Sequence, residues 1–318
     1  MTTLDLNTVT PRIRAHKDAL VHIIKPPICV ERAEHYTESY QEHLAQPVAV
    51  RRALALANHL KKRTIWIKND ELIVGNQASQ PRAAPIFPEY TVGWIEKEID
   101  ILGDRPGAGF HVTDHDKEVL HRICPWWHGQ TVLDRCFALF SDEHKSLLDT
   151  VMIKAEGNMN SGDAHLAVNF PLILEKGLDG IVEKVRERRS RIDLTNLDDF
   201  YKDHFLKAVD IAMVAMSEHI ERYAELAKEM AAKESRDWRK KELLEIAANC
   251  ELIAHKPPQT FWQALQLSYF VMLLLQIESN GHSVSFGRLD QYLAPWYERD
   301  VETNKTLDKE YAIEMLHS

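Results

Sequence analysis

Between residues 31 and 62 the apolar positions recur three and four apart, and one interruption at Pro47 divides the run into two predicted helices. The period then shortens. In TIWIKNDELIVGN, residues 64–76, Ile65 and Ile67 alternate with polar neighbours, Leu72 and Val74 do the same, and Asn69-Asp70 stands between them, a pattern that predicts a β-hairpin. Three prolines between Pro81 and Pro88 forbid a helix or a central strand, so QPRAAPIFPEY is expected to be ordered and extended. Helical spacing returns over 94–102, 114–120 and 131–139. From 198 to 254 long amphipathic helices dominate, and FLKAVDIAMVAMSEHIERYAELAKEMAAK sets strong helix formers along one apolar face. Residues 261–277 are mostly hydrocarbon, interrupted by Gln263, Gln266 and Gln276, which predicts a buried helix rather than a membrane span. The last stretch, LDKEYAIEMLHS, places Asp308 and Glu310 at a helix start and carries no stop signal, so the chain is expected to be cut in mid-helix. No repeat or low-complexity linker interrupts the order, and one helix-rich unit is expected.

Composition narrows the function classes. With 318 residues, 45% of them hydrophobic, the chain can bury a large core. Its 39 basic and 48 acidic side chains give a net charge of -9, and with no dense basic stripe this argues against a nucleic-acid partner. The short run KVRERRSR, 184–191, reads as a solvated helix face. Cys29, Cys124, Cys136 and Cys250 are scattered without CxxC spacing, which suggests neither disulfides nor a zinc site and fits a reducing cytoplasm. The first twenty residues hold no apolar stretch of the signal-peptide kind, and no membrane partner is expected.

No phosphate loop, HExxH, nucleophile elbow or dinucleotide fingerprint occurs; RPGAGF offers only GxG, without a convincing strand before it. HVTDHD, 111–116, holds metal-ligand residue types on a polar loop with no fixed partner and reads as solvated surface, so no metal is expected. Trp126 and Trp127 read as packing residues. Two other polar stretches stand out because each abuts the core. In EGNMNSGDAHLAVNFPLIL, small and polar residues deliver His165 to the start of an apolar run. In ESNGHS, Asn280, Gly281, His282 and Ser283 follow the hydrocarbon helix directly. Polar groups at the end of a buried element need partners, and a ligand can supply them. Two imidazoles and a hydroxyl on one cavity would donate and accept hydrogen bonds to a small polyhydroxylated or carbonyl substrate. Spacing leaves open whether the two stretches meet; if they do not, each histidine is an ordinary core or surface residue.

ERAEHYTESY, ELIVGNQASQPRAAPIFPEY, GDAHLAVNFPLILEKGLDG and NGHSVSFGRLDQYLAPWYERD occur in this order between Lys25 and the last residue. Together they resemble the N-terminal part of glycyl radical enzymes, in the branch that holds glycerol dehydratase and the pyruvate formate-lyase-like proteins. The nearest likeness within that branch is an enterobacterial formate acetyltransferase. The resemblance implies a helix-rich α/β fold: the N-terminal part of a barrel of about ten strands, built as two halves, in which two central loops bring a cysteine and a glycine together. It also implies a homodimer and a radical-SAM activating enzyme as partner. That S-adenosylmethionine-dependent activase installs a glycyl radical, the glycyl radical generates a thiyl radical, and the thiyl radical abstracts hydrogen from a small-molecule substrate, with no other bound cofactor. By match of motif, His165 falls on the pocket histidine of the dehydratases, and His282 and Ser283 fall on their substrate-holding His-Ser pair.

The family's Gly-Cys-x-Glu loop and its C-terminal glycyl radical motif do not occur in this sequence, and the four cysteines have the wrong surroundings to replace the thiyl cysteine. Both motifs are expected beyond Ser318. Residues 1–318 are therefore expected to form the N-terminal portion of a pyruvate formate-lyase-type domain, with substrate-binding residues, no catalytic radical residue and no activity alone. The leading expectation is radical dehydration, or carbon–carbon or carbon–heteroatom cleavage, of a small hydroxylated substrate. Pyruvate formate-lyase activity is the alternative among enzymes. A non-catalytic helical interaction protein, with the apolar stretch 261–277 as exposed surface, is the alternative outside them.

Overall fold

The computed structural model describes residues 9–107, 109–150, 152, 161, 162, 165–281 and 283–318. In chain order its elements are α1 (Pro11–Val21), β1 (Ile28–Cys29), α2 (Glu31–Glu42), α3 (Val48–Lys62), β2 (Ala84–Pro85), α4 (Gly93–Glu98), α5 (Asp114–Trp127), α6 (Val132–Phe137) and α7 (Asp142–Asp149). After them come α8 (Phe170–Arg189), α9 (Leu197–Lys233), α10 (Asp237–Ile253), α11 (Phe261–Ser279), α12 (Leu289–Tyr292), α13 (Ala294–Tyr297) and α14 (Lys309–His317).

Side-chain caps fix where the principal helices begin. Thr113 accepts from the Asp116 amide at 3.1 Å, and Asp116 accepts from the Thr113 amide at 2.8 Å, a reciprocal pair that starts α5. HVTDHD is thus a helix start. Among the described residues no group of three or more His, Cys, Asp or Glu side chains is placed to hold a metal ion. Thr260 and Gln263 make the same reciprocal cap for α11, while Asn169 and Asn196 cap α8 and α9.

Helix α11 is the centre of the core; Ala264, Leu267 and Phe270 are fully buried. Because α11 is enclosed by this chain's own elements, the exposed surface expected of 261–277 in a free-standing interaction protein does not form. Among the described residues no helix is long and apolar enough to cross a membrane. The 37-residue α9 packs on α3, α8 and α10. Its buried side chains, Met216, Ile220, Tyr223, Ala224, Ala227 and Ala231, recur at the helical spacing read in the sequence. The basic run at the end of α8 is largely solvated, as read in the sequence, with Val185 as its one buried residue. Arg186 pairs with Asp210 and Arg189 with Asp203, both at 2.9 Å, and these pairs clamp α8 to α9. Trp127 is buried as expected and donates to Thr37 Oγ1 at 2.8 Å, tying α5 to α2.

The sheet forms where the prolines are. Strand β1 pairs in parallel with β2 in the register Ile28↔Ala84 and Cys29↔Pro85. Ala84 and Ile86 donate to the carbonyls of Pro27 and Cys29 at 2.8 and 3.2 Å, so Pro85 falls where the ladder needs no donor. His111 flanks β1 on its other side, accepting from the Ile28 amide at 3.2 Å.

Residues 64–76 do not form the predicted strand pair. The chain does turn at Asn69-Asp70, where Asp70 takes φ 62° and the Glu71 amide donates to the Lys68 carbonyl at 3.3 Å. Side chains, however, take the place of the ladder. Asn76 accepts from the Trp66 amide and donates to the Thr64 carbonyl, both at 3.0 Å. On α11, Gln266 accepts from the Val74 amide and donates to the Val74 carbonyl, both at 2.8 Å, and Trp262 donates to the Leu72 carbonyl at 3.1 Å. Alternation correctly signalled extended backbone, but Leu72, Ile73 and Val74 are buried against α11 and find their partners there.

Candidate functional site

Helix α11 stops at Asn280, which takes the left-handed conformation at φ 49°. Ser279 Oγ accepts from the Gly281 amide at 3.2 Å, and Ser283 also sits at positive φ, 58°, before the chain extends past Ser285. The loop that carries His165 arrives beside it. The Ser285 amide donates to the Leu166 carbonyl at 3.3 Å, and Ala167 and Ser285 form a parallel bridge. His165 and Ser283 each lie two residues before the bridged pair, on the two stretches that the bridge joins. His165 itself is held at φ 59°.

Gly162 makes the second junction. A methyl group at this position would overlap the Ser279 carbonyl oxygen and lie 2.7 Å from Tyr90 Oη, so the approach requires glycine. Beyond the bridge, Phe170 stacks on Phe286 and Tyr292 with centroids 5.9 and 5.0 Å apart, and Tyr292 Oη donates to the Phe286 carbonyl at 3.0 Å. The two polar stretches therefore meet, through Leu166 and Ala167 against Ser285 and through Gly162 against Ser279. His165 and Ser283 are both exposed on the face of this chain. His282 lies outside the described residues.

Beneath the junction is a charged cluster that sequence reasoning missed. Arg32, on α2, is fully buried; its guanidinium donates to the Ile277 and Glu278 carbonyls, both at 2.7 Å, and to both Glu89 oxygens at 2.6 and 3.0 Å. The rings of Tyr36 and Phe87 cover its two faces at 3.6 and 3.8 Å. Burial alone would lower the Arg32 pKa, but the Glu89 carboxylate outweighs it and the pKa is raised, so the group stays a cation. Arg52 adds a bond to Glu278 at 3.0 Å. Burial pushes up the Tyr36 and Tyr90 phenols, which remain neutral, and moves Tyr40 to about 12. Five of these residues, Arg32, Tyr36, Phe87, Glu89 and Tyr90, stand in the quoted stretches ERAEHY and FPEY. What could have revealed them is that an aromatic accompanies a charge in both motifs, a basic one in the first and an acidic one in the second, since a charged residue by itself reads as surface.

The arrangement offers hydrogen-bond donors and acceptors on a rigid base. None of the four cysteines belongs to these loops: Cys29 is in β1, Cys124 in α5, Cys136 in α6 and Cys250 in α10.

A family model described as pyruvate formate lyase-like matches residues 6–318. A curated Escherichia coli (strain K12) protein, "Probable dehydratase YbiW", is 72% identical over 100% of this chain and 39% of its own length. The (2S)-3-sulfopropanediol dehydratase of Klebsiella oxytoca is 36% identical over 91% of this chain and 36% of its own. Among solved structures, the glycerol-bound form of the B12-independent glycerol dehydratase from Clostridium butyricum matches with a TM-score of 0.92 at 33% identity, covering 96% of this chain and 38% of that one. The chain thus spans less than two-fifths of the length of these relatives, and its helix-rich α/β fold is a portion of theirs.

Proposed function

The chain belongs to the pyruvate formate lyase-like family, and from that membership we propose that it is the N-terminal portion of a glycyl radical enzyme. The whole enzyme dehydrates a small hydroxylated substrate, or cleaves a carbon–carbon or carbon–heteroatom bond in one. The observation that supports the reading is the seam between the two polar loops, where the Ser285 amide donates to the Leu166 carbonyl and Ala167 bridges to Ser285.

In this reading His165, His282 and Ser283 hold the substrate. A thiyl radical, derived from a glycyl radical that a separate S-adenosylmethionine-dependent activase installs outside this chain, would supply hydrogen abstraction next to a substrate hydroxyl. The residues of this chain bind and orient. The Ser283 hydroxyl fixes one substrate oxygen, and an imidazole delivers the proton with which a neighbouring hydroxyl leaves as water. Neither radical-bearing motif is in the sequence, so the chain is inactive alone; the complete enzyme is a cytoplasmic homodimer. Formate acetyltransferase chemistry remains the second reading within the family, since acyl transfer would use a second cysteine beside the first in a downstream loop. The dehydratase names of the relatives favour dehydration.

The test is His282→Ala and Ser283→Ala in the full-length enzyme, with Ser285→Ala as control. The Ser285 hydroxyl is occupied in accepting the Gly287 amide at 3.0 Å. Each hydrogen bond lost to substrate in a dry site costs about 1–3 kcal/mol, so turnover should fall roughly tenfold to a few hundredfold with a normal glycyl spin count. Unchanged rates for both variants, or equal losses in the control, would refute the assignment.

A further inference from the structure

The last turn of any helix leaves four carbonyls without intrahelical partners. In α11 three consecutive ones have assigned uses. Arg32 takes the carbonyls of Ile277 and Glu278, and the next, that of Ser279, is the seat of Gly162. The guanidinium is itself fixed on every side, by both oxygens of Glu89 at its rim and by Tyr36 and Phe87 on its faces. Arg52 holds the Glu278 side chain of the same turn.

We propose that Arg32 is the positioning residue for both substrate-holding loops: by gripping the Ile277 and Glu278 carbonyls it fixes the exit from α11 at Asn280 and Gly281 and the Ser279 carbonyl on which the loop bearing His165 rests. The inference builds on the assignment of His165 and Ser283 to substrate. Arginine is required because one planar fork must serve a carboxylate and two carbonyls at once. A lysine ammonium keeps the charge but cannot present four directed bonds in a plane. Arg63 provides the comparison. It is as deeply buried, yet its contacts are the Asn76 carbonyl and His219, away from either loop.

Arg32→Lys, Glu89→Gln, Arg63→Lys and Ser283→Ala are compared in the full-length enzyme by glycyl spin count, by KM and kcat, and by hydrogen exchange of peptides covering 277–285. Arg32→Lys should keep a normal spin count, exchange about tenfold faster over 280–285, and show KM raised about tenfold with a smaller change in kcat. Arg63→Lys should lower thermal stability while leaving loop exchange and KM unmoved. A folded Arg32→Lys enzyme with unmoved loop exchange and KM overturns the inference, as does an equal rise in KM for Arg63→Lys. If Arg32→Lys does not fold, Glu89→Gln, which keeps the guanidinium and removes its counter-charge, carries the same expectations at smaller size. Ser283→Ala separates the two claims: lost turnover there beside an unaffected Arg32→Lys sinks the inference alone, whereas unchanged turnover in Ser283→Ala sinks the substrate assignment and the inference with it.

Discussion

Replacing Gln266 by leucine tests whether α11 really serves as the missing strand. The carboxamide, almost wholly buried, satisfies both the amide and the carbonyl of Val74, which is itself fully buried. Leucine keeps the approximate volume and removes both partners. Leaving two buried backbone groups unpaired costs about 1–3 kcal/mol each. The added apolar burial returns about 1–2 kcal/mol, so the net loss should be about 0–5 kcal/mol, centred near 2–3 kcal/mol. Thermal unfolding should report it as a lowered Tm, and hydrogen exchange of a peptide covering 72–76 should quicken roughly tenfold or more, since 1.4 kcal/mol is a tenfold change in opening. Gln266→Glu sharpens the result. Its carboxylate can accept from the Val74 amide but opposes the Val74 carbonyl, so its destabilisation should shrink as acid protonates it. A Gln266→Leu protein with unchanged Tm and unchanged exchange at 72–76 would mean that Val74 is satisfied some other way and that the correction to the hairpin is wrong.

Two further predictions concern pH. Burial raises Glu71 to about 7; a raised carboxyl contributes stability that is whole below its unfolded value near 4.3 and lost as pH rises through 7. Glu71→Gln should therefore gain roughly 3–4 kcal/mol relative to wild type between pH 4 and pH 8, and parallel Tm profiles would refute this. Burial, with Arg63 and Arg222 adding to it, lowers His219 to about 3. Its contribution is present above the unfolded value near 6.5 and drains as pH falls toward 3, so His219→Gln should flatten the acid limb of the Tm profile by about 2 kcal/mol at pH 5. The isolated 318-residue chain, given an activase and S-adenosylmethionine without oxygen, should yield no glycyl doublet in electron paramagnetic resonance; a doublet would contradict the proposed placement of the radical residue. Gly162→Ala in the full-length enzyme should impair turnover with a normal spin count, because the added methyl displaces the loop bearing His165 from the Ser279 carbonyl.

Helices were legible because their signals are local: Thr113 with Asp116 and Thr260 with Gln263 announce their own helix starts. The segment 64–76 was misread because Val74 is satisfied by a residue 192 positions away, and no window around it contains that partner. His165 and Ser283 could be nominated since small polar residues against an apolar run are conspicuous, but the meeting of their two stretches depends on a bridge between Ala167 and Ser285 that sequence cannot show. Arg32 and Glu89 were invisible for a different reason. On a helix rich in polar residues an arginine looks solvated until the rings of Tyr36 and Phe87 are seen to enclose it.

The seam between Ala167 and Ser285 also says when the site can form. It closes a loop of 118 residues. Closing so long a loop from an open chain costs about 4 kcal/mol in entropy, against roughly 1 kcal/mol from a single backbone hydrogen bond. The seam cannot nucleate anything. Only after α8, α9, α10 and α11 have packed and brought their ends together does the gap shrink to one that this bond can span. During refolding, helical signal should therefore return well before the loops bearing His165 and Ser283 lock together. The junction of these two loops is built after the helices that lie between them.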